Sequence, residues 1–91
     1  MKVFVKIHGY LESYFAESAF EIGDLHEGAT VGDLLKAVWK RYARPGTDLP
    51  SLEEEAMQQE VLVAVNSRLA SPGRGLKDGD AVDLLPPAVG G

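Results

Sequence analysis

Residues 31–42 carry a long stretch of helical periodicity. The apolar side chains recur at spacings of three and one, which places them in one stripe along a helix: Val31, Leu34, Leu35, Val38, Trp39 and Tyr42. Thr30 stands where it can cap the first turn, and Pro45-Gly46 ends the pattern. A chain with one substantial helix buries such a stripe most economically against one face of a sheet.

Strand patterns lie on both sides of this helix. Residues 2–8 alternate apolar and polar side chains, the period of a strand with one face in the core. Phe20 and Ile22 share a face of the next pattern, which predicts a hairpin with the first. The predicted strands, in chain order, are residues 2–8, 19–22, 61–65, a brief piece around Leu69, and 81–85. We therefore predict an α+β fold of the β-grasp type, with a mixed sheet of four to five strands packed on the helix.

The chain has room for one hydrophobic core, because it contains 91 residues. We divide it into a domain of residues 1–85 and an extended tail of residues 86–91. Residues 10–17 are predicted to connect the first two strands. Residues 51–54 have the form of a capping box, which predicts a short helical turn through Gln58.

Composition and charge exclude several classes of protein. The sequence has no cysteine, so neither disulfides nor thiolate metal sites can hold the fold together. Its formal net charge of −5 argues against a nucleic-acid partner, and the basic residues near the end of the predicted helix are typical of a solvated surface. Residues 1–6 show no apolar stretch of the kind found in signal peptides or membrane spans. We expect a cytoplasmic protein without membrane partners.

The side chains that usually perform catalysis are sparse. His8 and His26 lie far apart in the sequence, and neither has a carboxylate at the spacing of a metal site. Residues 53–55 are three glutamates that are typical of a solvated acidic surface at the start of a helical turn. Gly73 and Gly75 lack the third glycine and the strand-to-helix context of a nucleotide-binding loop. We therefore expect no metal site and no stably bound cofactor.

The last six residues have a different character from the domain. Pro86 and Pro87 favour an extended chain, which could reach up to about 20 Å from the final strand. Gly90 and Gly91 have no side chains, so the terminus could enter a narrow channel in another protein and leave its carbonyl group open to attack. Chain ends are often rich in glycine, so this feature alone leaves an incidental Gly-Gly equally open.

Four segments together resemble the small subunit of molybdopterin synthase and, less closely, the thiamine sulfur carrier. These segments are Thr30-Val31-Gly32-Asp33-Leu34-Leu35, Val63-Ala64-Val65-Asn66, Leu76-Lys77-Asp78-Gly79-Asp80-Ala81-Val82 and Leu85-Pro86-Pro87-Ala88-Val89-Gly90-Gly91. The resemblance covers nearly the whole chain and implies a ubiquitin-like β-grasp fold. In such carriers, a ubiquitin-activating-type adenylating enzyme uses ATP to convert the terminal carboxylate to an acyl-adenylate, and sulfur then replaces AMP.

The resemblance implies that Gly91 carries the thiocarboxylate, with Gly90 beside it, and that no side chain of this protein performs chemistry. It also implies that the tail inserts into the large subunit of molybdopterin synthase and supplies sulfur to the pterin. The residues that would contact both partners are Leu69, Leu85, Pro86, Pro87 and Val89. The sequence departs from the family pattern at His8, where the molybdopterin subunit tends to be apolar, and in the longer stretch of residues 45–59.

Three other functions fit parts of this pattern. The activated Gly91 could form isopeptide bonds with lysines, as in ubiquitin-like protein modifiers. The same chemistry could serve thiazole synthesis in the thiamine pathway. A β-grasp interaction module without activation is a third alternative, although an unused tail has no need to end in Pro-Pro-x-x-Gly-Gly.

Overall fold

The computed structural model describes residues 1–46 and 60–87. The elements, in chain order, are β1 (Val3–Ile7), a 3-10 helix (Gly9–Tyr14), β2 (Ala19–Ile22), α1 (Val31–Tyr42), β3 (Leu62–Val65), β4 (Arg68–Leu69) and β5 (Ala81–Leu85). The short helical turn predicted after residue 51 lies outside the described residues. The same holds for residues 88–91 of the predicted tail.

The five strands form one mixed sheet in the order β2-β1-β5-β3-β4. β1 pairs antiparallel with β2, which confirms the predicted hairpin, and it pairs parallel with β5. β3 is antiparallel to both of its neighbours, β5 and β4. A parallel pair needs a long crossover connection, and α1 lies in the chain segment that joins β1 to β5. The prediction of one main helix on a mixed sheet is confirmed.

α1 begins with a capping box. The Thr30 hydroxyl accepts a hydrogen bond from the Asp33 N–H at 3.2 Å, and the Asp33 carboxylate accepts one from the Thr30 N–H at 2.9 Å. The second bond lowers the pKa of the Asp33 carboxyl, because it stabilises the ionised form. The helix ends at Tyr42, just ahead of Pro45-Gly46 as predicted. No helix within residues 1–46 and 60–87 has both the length and the apolar composition that crossing a bilayer requires.

The hydrophobic core lies between α1 and the inner face of the sheet. The first four side chains of the predicted stripe have no exposed area, which confirms that this side of α1 faces the strands. Trp39 and Tyr42 are half-buried at the margin of the core. Trp39 packs edge-to-face on Phe15 with ring centroids 5.1 Å apart, and Tyr42 stacks on Phe20 at 3.7 Å. The strands supply Val3, Val5, Ile7, Ile22, Val63, Val65, Val82 and Leu84 to the core.

The connection between β1 and β2 is more ordered than the sequence predicts. Residues Gly9–Tyr14 form a 3-10 helix, which buries Leu11 and brings Phe15 into the core behind it. Six residues are too few to show a helical period, and short 3-10 helices depend on tertiary packing. The segment connects the first two strands as predicted, and the burial of Leu11 and Phe15 adds a packing role that the sequence did not indicate.

Candidate functional site

The C-terminal segment leaves the sheet from its central strand. β5 lies between β1 and β3, and the Leu84 carbonyl accepts a hydrogen bond from the His8 N–H at 2.9 Å. Pro86 and Pro87 follow, and neither has a backbone N–H with which to continue the ladder, so the strand ends at Leu85. Both prolines are half-buried. The described part of the tail therefore begins at the middle of the sheet rather than at an edge.

Two of the predicted contact residues lie on the face of the sheet that is turned away from α1, here called the outer face. Leu69 pairs with Ala64, Ala64 pairs with Asp83, and directly paired residues share a face. Leu85 lies on the same face, two residues beyond Asp83. Leu69 is 71% exposed and Leu85 is half-buried. The structure thus brings both leucines to one surface. Because Leu69 is mostly exposed there, it contributes little to the core.

The remaining predicted site residues divide into two groups. Pro86 and Pro87 directly follow Leu85 at the end of the outer face. Three further residues lie outside the described residues: Val89, Gly90 and Gly91. Their predicted roles as a contact residue and as the reactive terminus stay predictions.

A polar pair lies beside Leu85 on the outer face. The His8 Nε2 atom is 2.7 Å from the Asp83 Oδ1 atom, and each side chain is 33% exposed. The parallel register of β1 and β5 explains the pair. Ile7 lies opposite Leu84 with both side chains in the core, so the residue after Ile7, His8, and the residue before Leu84, Asp83, both lie on the outer face. The sequence predicts a surface position for His8 but does not identify Asp83, which is 75 positions away. A partner that covers this pair has to keep it hydrogen-bonded or leave it in contact with water.

A groove of about 360 Å³ crosses the outer face over β2, β1 and β5. Phe4, whose side chain is 43% exposed, lines it together with the charged side chains of Lys6 and Glu21. The groove contains no Ser or Cys nucleophile with a histidine beside it, as the residues that line it are Phe4, Val5, Lys6, Ala19, Phe20, Glu21, Ala81, Val82 and Asp83. Residues 1–46 and 60–87 also contain no group of three or more potential metal ligands.

The Lys77-Asp78-Gly79-Asp80 segment, which contributes to the family resemblance, has a structural role. The buried Asp80 carboxylate accepts hydrogen bonds from the Asn66 Nδ2 atom at 2.9 Å and from the Lys77 N–H at 2.8 Å. The Asn66 Oδ1 atom in turn accepts one from the Ala81 N–H at 2.9 Å. Asp78 accepts a bond from the Lys2 N–H at 2.6 Å. These contacts hold the turn before β5 against the β3–β4 turn and the start of β1.

Two basic residues near the end of α1, Arg41 and Arg44, make contacts within the domain. Arg41 forms a bidentate pair with Asp24, with both N···O distances at 2.7 Å. Hydrogen bonding from Arg41 lowers the pKa of the Asp24 carboxyl, and the same bond raises the pKa of the guanidinium. The Arg44 Nε atom donates to the Phe15 carbonyl at 2.8 Å. These contacts agree with the surface role that the sequence predicts.

Comparisons with known proteins place this geometry in context. A sequence model described as the ThiS family matches residues 13–91. A putative molybdopterin converting factor subunit 1 from Pyrococcus furiosus is 35% identical, with 96% of this chain and 98% of that chain covered and a TM-score of 0.73. SAMP1 from Haloferax volcanii is 25% identical, with 100% of each chain covered and a TM-score of 0.74.

A third solved structure contains a partner chain. It is a protein–protein complex of subunits 1 and 2 of the molybdopterin-converting factor from Helicobacter pylori 26695. The matching chain is 25% identical, with 100% of each chain covered and a TM-score of 0.60. No curated protein matches the chain.

Proposed function

Because the chain belongs to the ThiS family of ubiquitin-like sulfur carriers, we propose that its Gly91 carboxylate is the sulfur-carrying group and serves molybdopterin biosynthesis. The observation that carries this proposal is the position of the C-terminal segment. It follows the central strand of a β-grasp sheet whose described surface offers no catalytic or metal-binding cluster. In this proposal the reactive group is the chain end itself, and the activating enzyme is a separate protein.

The chemistry requires activation by a partner. A terminal carboxylate is ionised at neutral pH and is a poor electrophile until it has a good leaving group. A carboxylate oxygen of Gly91 attacks the α-phosphorus of ATP in the adenylating enzyme, and pyrophosphate leaves. Sulfide then attacks the acyl carbon, AMP leaves, and a thiocarboxylate results. The thiocarboxylate sulfur then attacks a carbon of the pterin precursor and displaces an oxygen group from it. Water hydrolyses the resulting thioester, which leaves the sulfur on the pterin and regenerates the carboxylate.

The outer face is the proposed docking surface for the partners. Leu69 and Leu85 share it, and Pro86 and Pro87 continue from it toward the reactive end. An exposed leucine gains most by burial in a complex when it belongs to a continuous apolar surface. Val89 would extend this contact into the catalytic cleft of the partner. The complex of subunits 1 and 2 from Helicobacter pylori supports the expectation that a protein of this kind has a large-subunit partner.

The similarity to the Pyrococcus furiosus protein favours the molybdenum or tungsten cofactor pathway. It is 35% identical over 96% of this chain, and its description is a putative molybdopterin converting factor subunit. The His8–Asp83 pair introduces a polar position into the outer face, so we expect the cognate partner to offer polar groups opposite it. Thiazole synthesis and protein modification remain the alternative uses of the same activated Gly91.

Intact-mass analysis tests the proposal. The purified protein is incubated with ATP, a sulfide source and the adenylating enzyme of its host. A mass increase that corresponds to exchange of one oxygen for sulfur at the C-terminus is expected. A variant that lacks Gly91 should keep the fold and show no increase. Loading of that variant, or unmodified carboxylate in the full-length protein, would contradict the proposal.

The fate of the loaded sulfur distinguishes the pathways. Transfer to a pterin precursor in the presence of the large subunit of molybdopterin synthase is expected. Conjugates with lysines, seen as a ladder on a denaturing gel, would instead show that the carrier acts as a protein modifier. Transfer to thiazole precursors without transfer to the pterin would assign the protein to thiamine synthesis.

A further inference from the structure

The C-terminal segment makes a close approach to the corner between β1 and the 3-10 helix. The parallel register places Ile7 opposite Leu84, and two residues later in each segment, beyond the ends of both strands, Gly9 meets Pro86. Gly9 has a φ of +62°, which glycine adopts readily and other residues rarely adopt. A Cβ atom at Gly9 would lie 2.9 Å from the Pro86 Cγ atom and 3.3 Å from Cδ. Both the backbone conformation and the available space therefore require glycine here.

Ring puckering can shift the Pro86 Cγ atom, but the rest of the Pro86 ring has no free rotation away from such a Cβ atom. Its Cδ atom is bonded to the backbone nitrogen, and the ring fixes φ near −65°, so the ring moves with the main chain. On the N-terminal side, the His8 N–H donates to the Leu84 carbonyl at 2.9 Å and holds β5 in place. A methyl group at residue 9 would therefore displace the chain on the C-terminal side of Leu85.

We propose that Gly9 is a positioning residue that sets the direction in which the chain leaves β5. The open space at Gly9 lets Pro86 lie close against the β1 corner, and this fixes where the segment toward Gly91 starts. The functional part of the inference rests on the proposed role of Gly91 as the group that is adenylated. The steric part depends on the described contact alone.

Gly28 provides a matched control. It has a φ of +83°, and nothing lies within 4 Å of a Cβ atom built there. Gly9→Ala and Gly28→Ala thus share the strain of a side chain at positive φ, whereas Gly9→Ala alone also contacts Pro86. The two variants are compared by urea unfolding and by steady-state kinetics of Gly91 loading with ATP, sulfide and the host adenylating enzyme.

We expect both variants to lose stability, with the larger loss in Gly9→Ala because of the added contact with Pro86, and we expect only Gly9→Ala to lose loading. Gly28→Ala should load with the kcat/KM of the wild type, whereas Gly9→Ala should lose roughly tenfold or more, since misplacement of a reacting group by about 1 Å can cost up to a hundredfold. The loss should fall on kcat rather than on KM, because Leu69 and Leu85 remain available for docking. Equal loading of the two variants would overturn the inference.

A double-mutant cycle tests the contact itself. Pro86→Ala removes Cγ and Cδ, so Gly9→Ala should cost less than about twofold in that background if the two positions are coupled. Equal losses in both backgrounds would overturn the positioning role. If Gly9→Ala does not fold, Pro86→Ala is compared with Pro87→Ala. The inference then requires the larger loss of kcat for Pro86→Ala, and an equal or smaller loss contradicts it.

Backbone amide chemical shifts separate this inference from the proposed function. The shifts of Val89 and Gly90 should change in Gly9→Ala and stay at the wild-type values in Gly28→Ala. Unchanged shifts in Gly9→Ala would overturn the inference even when the wild type is loaded. Changed shifts in a protein whose wild type cannot be loaded would contradict the proposed function alone.

Discussion

Replacement of Asp80 by alanine should destabilise the domain, because it removes the acceptor at the centre of the turn network. The Asp80 carboxylate is 8% exposed and accepts from the Asn66 side chain and from the Lys77 N–H. Each hydrogen bond to a charged group contributes about 1.5–3 kcal/mol. Because the donors lie close to the surface and can regain some water, we expect a total loss of about 2–4 kcal/mol in the free energy of unfolding.

Two further variants provide comparisons for the loss of stability expected in Asp80→Ala. Asp80→Asn keeps one acceptor oxygen but turns an NH₂ group toward a donor, so its loss should be about half that of Asp80→Ala. The Asn66 amide cannot flip to compensate, because its Oδ1 atom already accepts from the Ala81 N–H. Asp78→Ala removes an exposed bond to the Lys2 N–H and should cost about 1 kcal/mol or less.

The measurement is urea unfolding followed by the fluorescence of Trp39, the single tryptophan in the sequence. Trp39 packs on Phe15 at the margin of the core and therefore reports on tertiary structure. For a domain of this size, the expected loss in Asp80→Ala corresponds to a decrease in Tm of roughly 10–25 °C. Equal stability of Asp80→Ala and Asp78→Ala would refute the argument that the hydrogen bonds of Asp80 stabilise the domain.

Three further perturbations test the core, the helix cap and the acid response. Leu35→Ala should lower the free energy of unfolding by about 2–5 kcal/mol because Leu35 is fully buried, whereas Leu69→Ala should change it by about 0.5 kcal/mol or less; equal losses would show that α1 does not face the sheet. Thr30→Ala removes the acceptor of the capping box and should cost about 1 kcal/mol by urea unfolding; no loss would show that the cap is dispensable. The lowered pKa of Asp33 means that its contribution is complete above the unfolded-state pKa of about 3.9 and disappears as the pH falls through the lower folded-state pKa. Asp33→Asn should therefore flatten the acid limb of the stability curve, and an unchanged limb would contradict the assignment.

The elements with a repeated pattern could be predicted from the sequence. The apolar stripe of α1 and the alternation in β1 each occur over several residues, and the structure confirms both. Asn66 and Ser67 form a two-residue turn between β3 and β4, a position that favours positive φ, and the structure shows φ values of 51° and 70°. Helix periodicity, strand alternation and turn preference depend only on residues that are close in the sequence, so a single sequence is enough to predict them.

Contacts between distant residues could not be predicted in this way. His8 and Asp83 are 75 positions apart, and their pairing follows from the parallel register of β1 and β5. The approach of Gly9 to Pro86 depends on the same register. The strand pattern of residues 2–8 stops just before Gly9, but nothing in the neighbouring sequence indicates that the C-terminal segment occupies the space beside this glycine.

The alternation within β5 separates stability from recognition residue by residue. Val82 and Leu84 point into the core and have almost no exposed area, whereas Asp83 and Leu85 lie on the outer face. Substitutions at the first pair should therefore lower the free energy of unfolding, and substitutions at the second pair should alter partner binding with little change in stability. The separation between residues for stability and residues for recognition cannot extend past Leu85, because the chain leaves the sheet there. The contact with Gly9 restricts both the packing and the direction of the chain at Pro86. Variants at Gly9 and Pro86 should consequently fall between the two groups, with effects on unfolding and on loading of Gly91 that are coupled through one contact.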